Sequence, residues 1–162
     1  MNTHYLNNPK EGYLPTAIKY GVIGILIINV ATYIMYQLGM LNSGNDMLAN
    51  ILSLVLTVVP IALAIDAYRV NQLSGTISFR HAFGVGFMTT LVLAILGGFV
   101  FIYIFLEIVA PDLKNIASSS QLTPFINTIG YTIVCTIFGA ISSLILAAFM
   151  KTESIGEKYS DN

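Results

Sequence analysis

Charge is what this sequence has least of. Seven Lys and Arg and eight Asp and Glu make up 9% of its 162 residues, whereas a soluble domain carries roughly 25%. Cysteine occurs once, which excludes a disulfide framework. There is no basic run and the net charge is −1, which excludes the electrostatic footprint of a nucleic-acid binder. Tryptophan is absent, so any aromatic belt has to be built from Tyr and Phe. Apolar residues, by contrast, are abundant: 56% of the chain, with a mean hydropathy of +0.78. Water is a poor solvent for such a chain and a lipid bilayer a good one. The composition predicts an integral membrane protein.

The positions of the few charges define its organisation. Residues 20–45, 47–65, 82–106 and 115–150 hold no Asp, Glu, Lys or Arg. A helix needs about 20 mainly apolar residues to cross a hydrocarbon core of roughly 30 Å. The first three gaps hold one span each. The fourth opens with the polar stretch Asn115 to Thr123 and leaves room for one span after Pro124. The expected spans are about 18–41, 47–67, 82–107 and 125–150, with tails at 1–17 and 151–162. None of them alternates polar and apolar residues as a barrel strand does, and only a helix satisfies its own backbone within one such segment. The fold class is therefore an all-α integral membrane protein with four transmembrane helices. The first span is expected to be retained rather than cleaved as a signal peptide. It follows about 17 residues of polar character, is too long, and has no small-x-small site after it.

Four spans place the N-terminus, the 68–81 loop and the C-terminus on one side. That side holds Lys10, Lys19, Arg69, Arg80, Lys151 and Lys158, against Lys114 alone on the other. The positive-inside rule makes both termini cytoplasmic, N-in and C-in. Tyr13, Tyr20, Tyr68 and Phe79 are then expected as anchors at the inner interface, and Tyr36, Tyr103 and Phe125 at the outer one. Asp66 and Arg69, three apart, are spaced to pair on the second helix.

The stretch from Asp66 to Gly86 reads DAYRVNQLSGTISFRHAFGVG. An Arg shortly after an apolar helix is followed by Gly-x-Ile-Ser-Phe-x-x-Ala-Phe-x-x-Gly, at Arg69, Gly75, Ile77, Ser78, Phe79, Ala82, Phe83 and Gly86. This resembles the small bacterial membrane proteins grouped as domain-of-unknown-function family 4199, over most of residues 15–150. The resemblance implies a multi-pass protein of the bacterial inner membrane with no established activity, and it carries over no catalytic residue. The motif also has a physical reading. Ser78 suits the N-cap of the third helix, Gly75 the turn before it, and Phe79 and Phe83 share one helix face. A lipid or partner patch of Arg69, Arg80 and His81 is the functional alternative, but two Arg fall short of a polybasic lipid signal.

Helices in lipid associate through small residues four apart. Such stripes run through Ala49, Ser53 and Thr57; Gly86, Thr90, Ala94 and Gly98; and Gly139, Ser143 and Ala147, while the first helix offers Gly21 and Gly24. Pro60 is expected to kink the second helix. Counting about nine residues in from the cytoplasmic ends puts Asn29, Thr57, Thr90 or its neighbours, and Ser142 or Ser143 at one level, roughly 13–14 Å deep; the layer is taken as Asn29, Thr57, Thr90 and Ser143. This mid-membrane polar layer is either interhelical glue, at about 0.6 kcal/mol per bond, or a solute contact point. No charge accompanies it, which favours glue.

Catalytic inventory is thin. His4 and His81 are not at metal-ligand spacing, and Cys135 has no second thiol. Glu107 and Asp112 flank Pro111 and solvate a helix end. There is no phosphate loop ending in Lys-Ser/Thr and no His-Glu-x-x-His. The expectation is a non-enzymatic accessory, assembly or scaffold protein, with no cofactor. Its partners are the bilayer and, beyond that, itself or other membrane proteins. The alternative is a small oligomeric transporter or channel using the polar layer. A pore calls for a polar stripe along a whole helix, whereas this sequence has polar residues at one level.

Overall fold

The computed structural model of the chain describes residues 12–40, 46–100 and 124–152. They form four α-helices: α1 at Tyr13–Gln37, α2 at Asp46–Gln72, α3 at Phe79–Phe99 and α4 at Pro124–Met150. All four are long and apolar enough to cross a membrane. The expected turn at 42–46 (up to residue 45), the end of the third span, the 108–124 loop, Tyr103, Glu107, Asp112 and most of both tails lie outside the described residues. So does the side chain of Phe125.

Helix limits differ from the charge-gap limits because hydrogen bonds, not hydropathy, end a helix. α1 begins at Tyr13 rather than near residue 18. Pro15 sits in its first turn, where the missing N–H has no intrahelical partner to lose. The far end closes as a Schellman motif: Gly39, at φ +70°, donates to the Tyr36 carbonyl, and Met40 donates to the Met35 carbonyl. α2 runs through Pro60 and continues past Asp66 to Gln72. An ion pair within that last stretch, Arg69 to Asp66, offsets their charges.

α3 packs against each of the other helices, and α2 touches both α1 and α4, so α1 and α4 flank a central α2–α3 pair. Half of the apolar window of α3 is buried, against 28% for α1 and 22% for α4, which marks α3 as the hub. The apolar core gathers at the end of the bundle that carries the α2–α3 turn. It comprises Ile61, Ile65, Tyr68, Leu73, Ile77, Val85 and Ala147 among others. Tyr68 corrects the sequence reading: it is fully buried, a core residue rather than an interfacial anchor. Its ring meets the edge of Tyr13 at 5.5 Å, and Tyr13 in turn fits over Gly84, where an added Cβ would stand 2.7 Å from the ring. Periodicity places a tyrosine at a helix end; only packing decides whether it turns in or out.

The outward faces are apolar. Leu14, Ile18, Leu26 and Val30 of α1 and Ile133, Ile137, Ile141 and Phe149 of α4 are exposed, Phe149 to 84%. Contiguous surface of this kind is suited to lipid and not to water.

A clasp across 75 residues of sequence closes the turn end. The Thr152 N–H donates to the Ile77 carbonyl at 2.9 Å, and the Ile77 N–H donates to Thr152 Oγ1 at 2.6 Å. Thr152→Val removes the acceptor and leaves a buried N–H unmet, a loss of about 1–3 kcal/mol. Hydrogen exchange should show the Ile77 amide losing protection while the α3 interior keeps its own.

Candidate functional site

The α2–α3 turn is built by the residues of the Asp66–Gly86 motif. Ser74 and Gly75 take the left-handed backbone at φ 54° and φ 96°, which reverses the chain, and Gly75 does so without a Cβ penalty. Its N–H donates to the Arg69 carbonyl. Ser78 is the N-cap of α3, accepting from the His81 N–H at 3.4 Å, and its Oγ also lies 2.9 Å from His81 Nδ1. Phe79 and Phe83 stack nearly parallel with centroids 6.4 Å apart, and Phe87 extends the row at 5.8 Å. Arg69 is engaged by Asp66, while Arg80 is exposed. Gly86 points elsewhere, into the α3–α4 interface. The motif residues thus make a turn, a cap and a packing face, and do not converge on one pocket.

That interface runs in an antiparallel register of small residues. A Cβ added at Gly86 would stand 3.0 Å from Ser143 Oγ, and one added at Gly139 would collide with the Thr90 side chain. One step of four up α3 is matched by one step of four down α4. Ala82 and Ala147, which continue the register, are both fully buried. Within it, Thr90 and Ser143 hydroxyls lie 3.3 Å apart. Thr90 Oγ1 is 3.0 Å from the Gly86 carbonyl and Ser143 Oγ is 2.7 Å from the Gly139 carbonyl. Further along, Thr132 donates to the Ala94 carbonyl at 3.3 Å.

The polar layer resolves into two connected parts. Asn29, Thr57 and Thr90 line one cavity of about 20 Å³, together with Ile25, Ile28, Leu93, Gly97 and Cys135. Ser143 stands outside that lining and joins through Thr90. Cys135 supplies the wall from α4. Asn29 is half-buried and donates through Nδ2 to the Ile25 carbonyl at 2.8 Å. The carbonyl one turn back is within reach of a helix side chain, and Asn29 uses it.

The family model described as "Protein of unknown function (DUF4199)" matches residues 19–128. The chain belongs to the DUF4199 family. No curated protein and no solved structure matches it. The expectation drawn from the Asp66–Gly86 motif is thus met, over a segment somewhat shorter than residues 15–150. In this DUF4199 protein the matched segment contains the whole of α2 and α3, and with them the turn, the Ser78 cap, Asn29, Thr57 and Thr90. Cys135, Gly139, Ser143 and Thr152, which complete the cavity, the interface and the clasp, lie beyond it. Sequence reasoning missed Thr152 and Gly97. Neither has a local signal, since a hydroxyl after a helix and a glycine among apolar residues are both ordinary.

Proposed function

We propose that this DUF4199 protein is a non-enzymatic accessory, assembly or scaffold protein of the bacterial inner membrane. Its termini are cytoplasmic, and its partners are further copies of itself or other membrane proteins. The observation that carries this reading is the use made of the deep polar groups. Thr90, Ser143 and Thr132 lie in the α3–α4 contact, and the cavity beside Thr90 measures only about 20 Å³. Groups engaged in holding helices together are what a packing module needs. Affinity capture of the detergent-solubilised protein, with native mass measured, tests it. A defined complex supports the reading, and a monomer that carries a solute in vesicles overturns it.

One observation favours the transporter alternative: each of the four helices contributes a wall residue to the same cavity, at Asn29, Thr57, Thr90 and Cys135. Asn29→Leu separates the two readings. For a packing module its stability in detergent should change by about 1 kcal/mol in either direction, with partner binding intact. For a solute site the same change should abolish flux in a folded protein.

The orientation rests on the basic residues Lys19, Arg69, Arg80 and Lys151 at one end of the bundle. A periplasm-active reporter inserted at residue 118 should be active, and the same reporter at residue 75 or after residue 152 silent. The reverse pattern would invert the topology.

A further inference from the structure

We propose that the mid-bundle cavity is a binding site for one water molecule, which donates to Asn29 Oδ1 on α1 and to Thr90 Oγ1 on α3. Size comes first. A water needs roughly 10–15 Å³ of accessible space and two to four polar partners; the cavity has about 20 Å³ and a wall containing Asn29, Thr57, Thr90 and Cys135. That is space for about one water.

Proton counting then identifies the acceptors. Asn29 gives one N–H to the Ile25 carbonyl, which leaves both lone pairs of Oδ1 available. Each hydroxyl owns a single proton. Thr90 has two acceptors in reach, the Gly86 carbonyl and Ser143 Oγ, and Ser143 has the Gly139 carbonyl and Thr90 Oγ1. If Thr90 donates to Gly86 and Ser143 to Gly139, Thr90 keeps two lone pairs. If Thr90 donates to Gly86 and receives the Ser143 proton, it keeps one. If Thr90 donates to Ser143 and Ser143 to Gly139, it keeps two. Thr90 Oγ1 is therefore an acceptor in all three arrangements. Asn29 and Thr90 both line this space, and one acceptor on each of two helices matches the two protons of water.

An apolar occupant fits the volume less well chemically. A lipid methyl would offer Asn29 Oδ1 no hydrogen bond, and a polar group without a partner in hydrocarbon is costly. The water binds α1 to α3, a pair for which no direct side-chain hydrogen bond is found among the described residues. The site does not depend on the accessory role proposed above.

Magic-angle-spinning NMR of isotope-labelled protein in bilayers tests this by polarisation transfer from water protons. The side-chain amide of Asn29 and the Thr90 side chain should both receive water polarisation, as should Thr152 at the exposed end of the bundle. In Asn29→Leu the Thr90 transfer should be lost and that of Thr152 kept. Thr90→Val should remove the Asn29 transfer in the same way, so that one variant suffices if the other does not fold. Transfer to Thr152 without transfer to Asn29 and Thr90 in the wild type would overturn the proposal. So would transfer to Asn29 from lipid acyl protons, or a Thr90 water contact that survives Asn29→Leu.

Discussion

Tyr68→Ala is expected to destabilise the bundle by about 3 kcal/mol, the largest single loss among aromatic truncations here. Tyr68 is fully buried at the turn end of the bundle, packed with Ile61, Ile65, Leu73 and Ile77 and against the edge of Tyr13. Alanine leaves a ring-sized void bounded by α2, α3 and the turn. Its neighbours are held by the Ser78 cap and the Thr152 clasp and relax only in part, so the void persists. The cost in a bilayer is one of lost packing contacts rather than of water exposure. Tyr68→Phe keeps the ring and should recover most of the stability. Equilibrium unfolding in mixed micelles gives the comparison. A loss below that of an exposed-face control such as Ile133→Ala would contradict the buried placement.

Gly139→Ala is expected to cost about 1–3 kcal/mol, from overpacking rather than from a void. The new methyl would collide with Thr90, whose side chain is fully buried and tied to Ser143. Either α3 and α4 separate, or Thr90 leaves its rotamer and its bond. Pairing the change with Thr90→Ala removes the colliding atoms and should restore stability beyond what the two single changes predict. A coupling of about 0.5–3 kcal/mol is expected for residues in contact. Additive losses would mean that the helices do not meet at this pair. Gly24 has the same character on the other flank of the bundle, where an added Cβ would stand 2.7 Å from the Pro60 ring. A pyrrolidine ring has no rotamer to swing into, so relief there has to come from the backbone.

Much of the site was legible at the level of residue lists and little of it at the level of contacts. The stripes Gly86–Thr90–Ala94–Gly98 and Gly139–Ser143–Ala147 are buried as their spacing predicts. Ser78 caps α3, and Asp66 pairs with Arg69, because both interactions span three residues. Depth counting brought Asn29, Thr57 and Thr90 to one level, since a helix rises a fixed 1.5 Å per residue. Ser143 joins that level through Thr90, whose hydroxyl is 3.3 Å away, and this contact depends on which small residues of α3 and α4 face each other.

The sequence by itself determined the class of the protein: too little charge for water, and apolar stretches that only helices can satisfy in lipid. It also determined the local devices, the Gly75 turn, the cap, and the pair on α2. These all lie within a few residues of chain, where backbone geometry leaves few choices. The tertiary structure decided what no local rule reaches. It turned Tyr68 into the core, put Cys135 rather than Ser143 on the cavity wall, and joined Thr152 to Ile77. Each of these depends on the rotation and offset of one helix against another. An apolar helix in an apolar solvent has no hydrophobic side to fix its rotation, so close packing of small residues and a few hydrogen bonds make that choice.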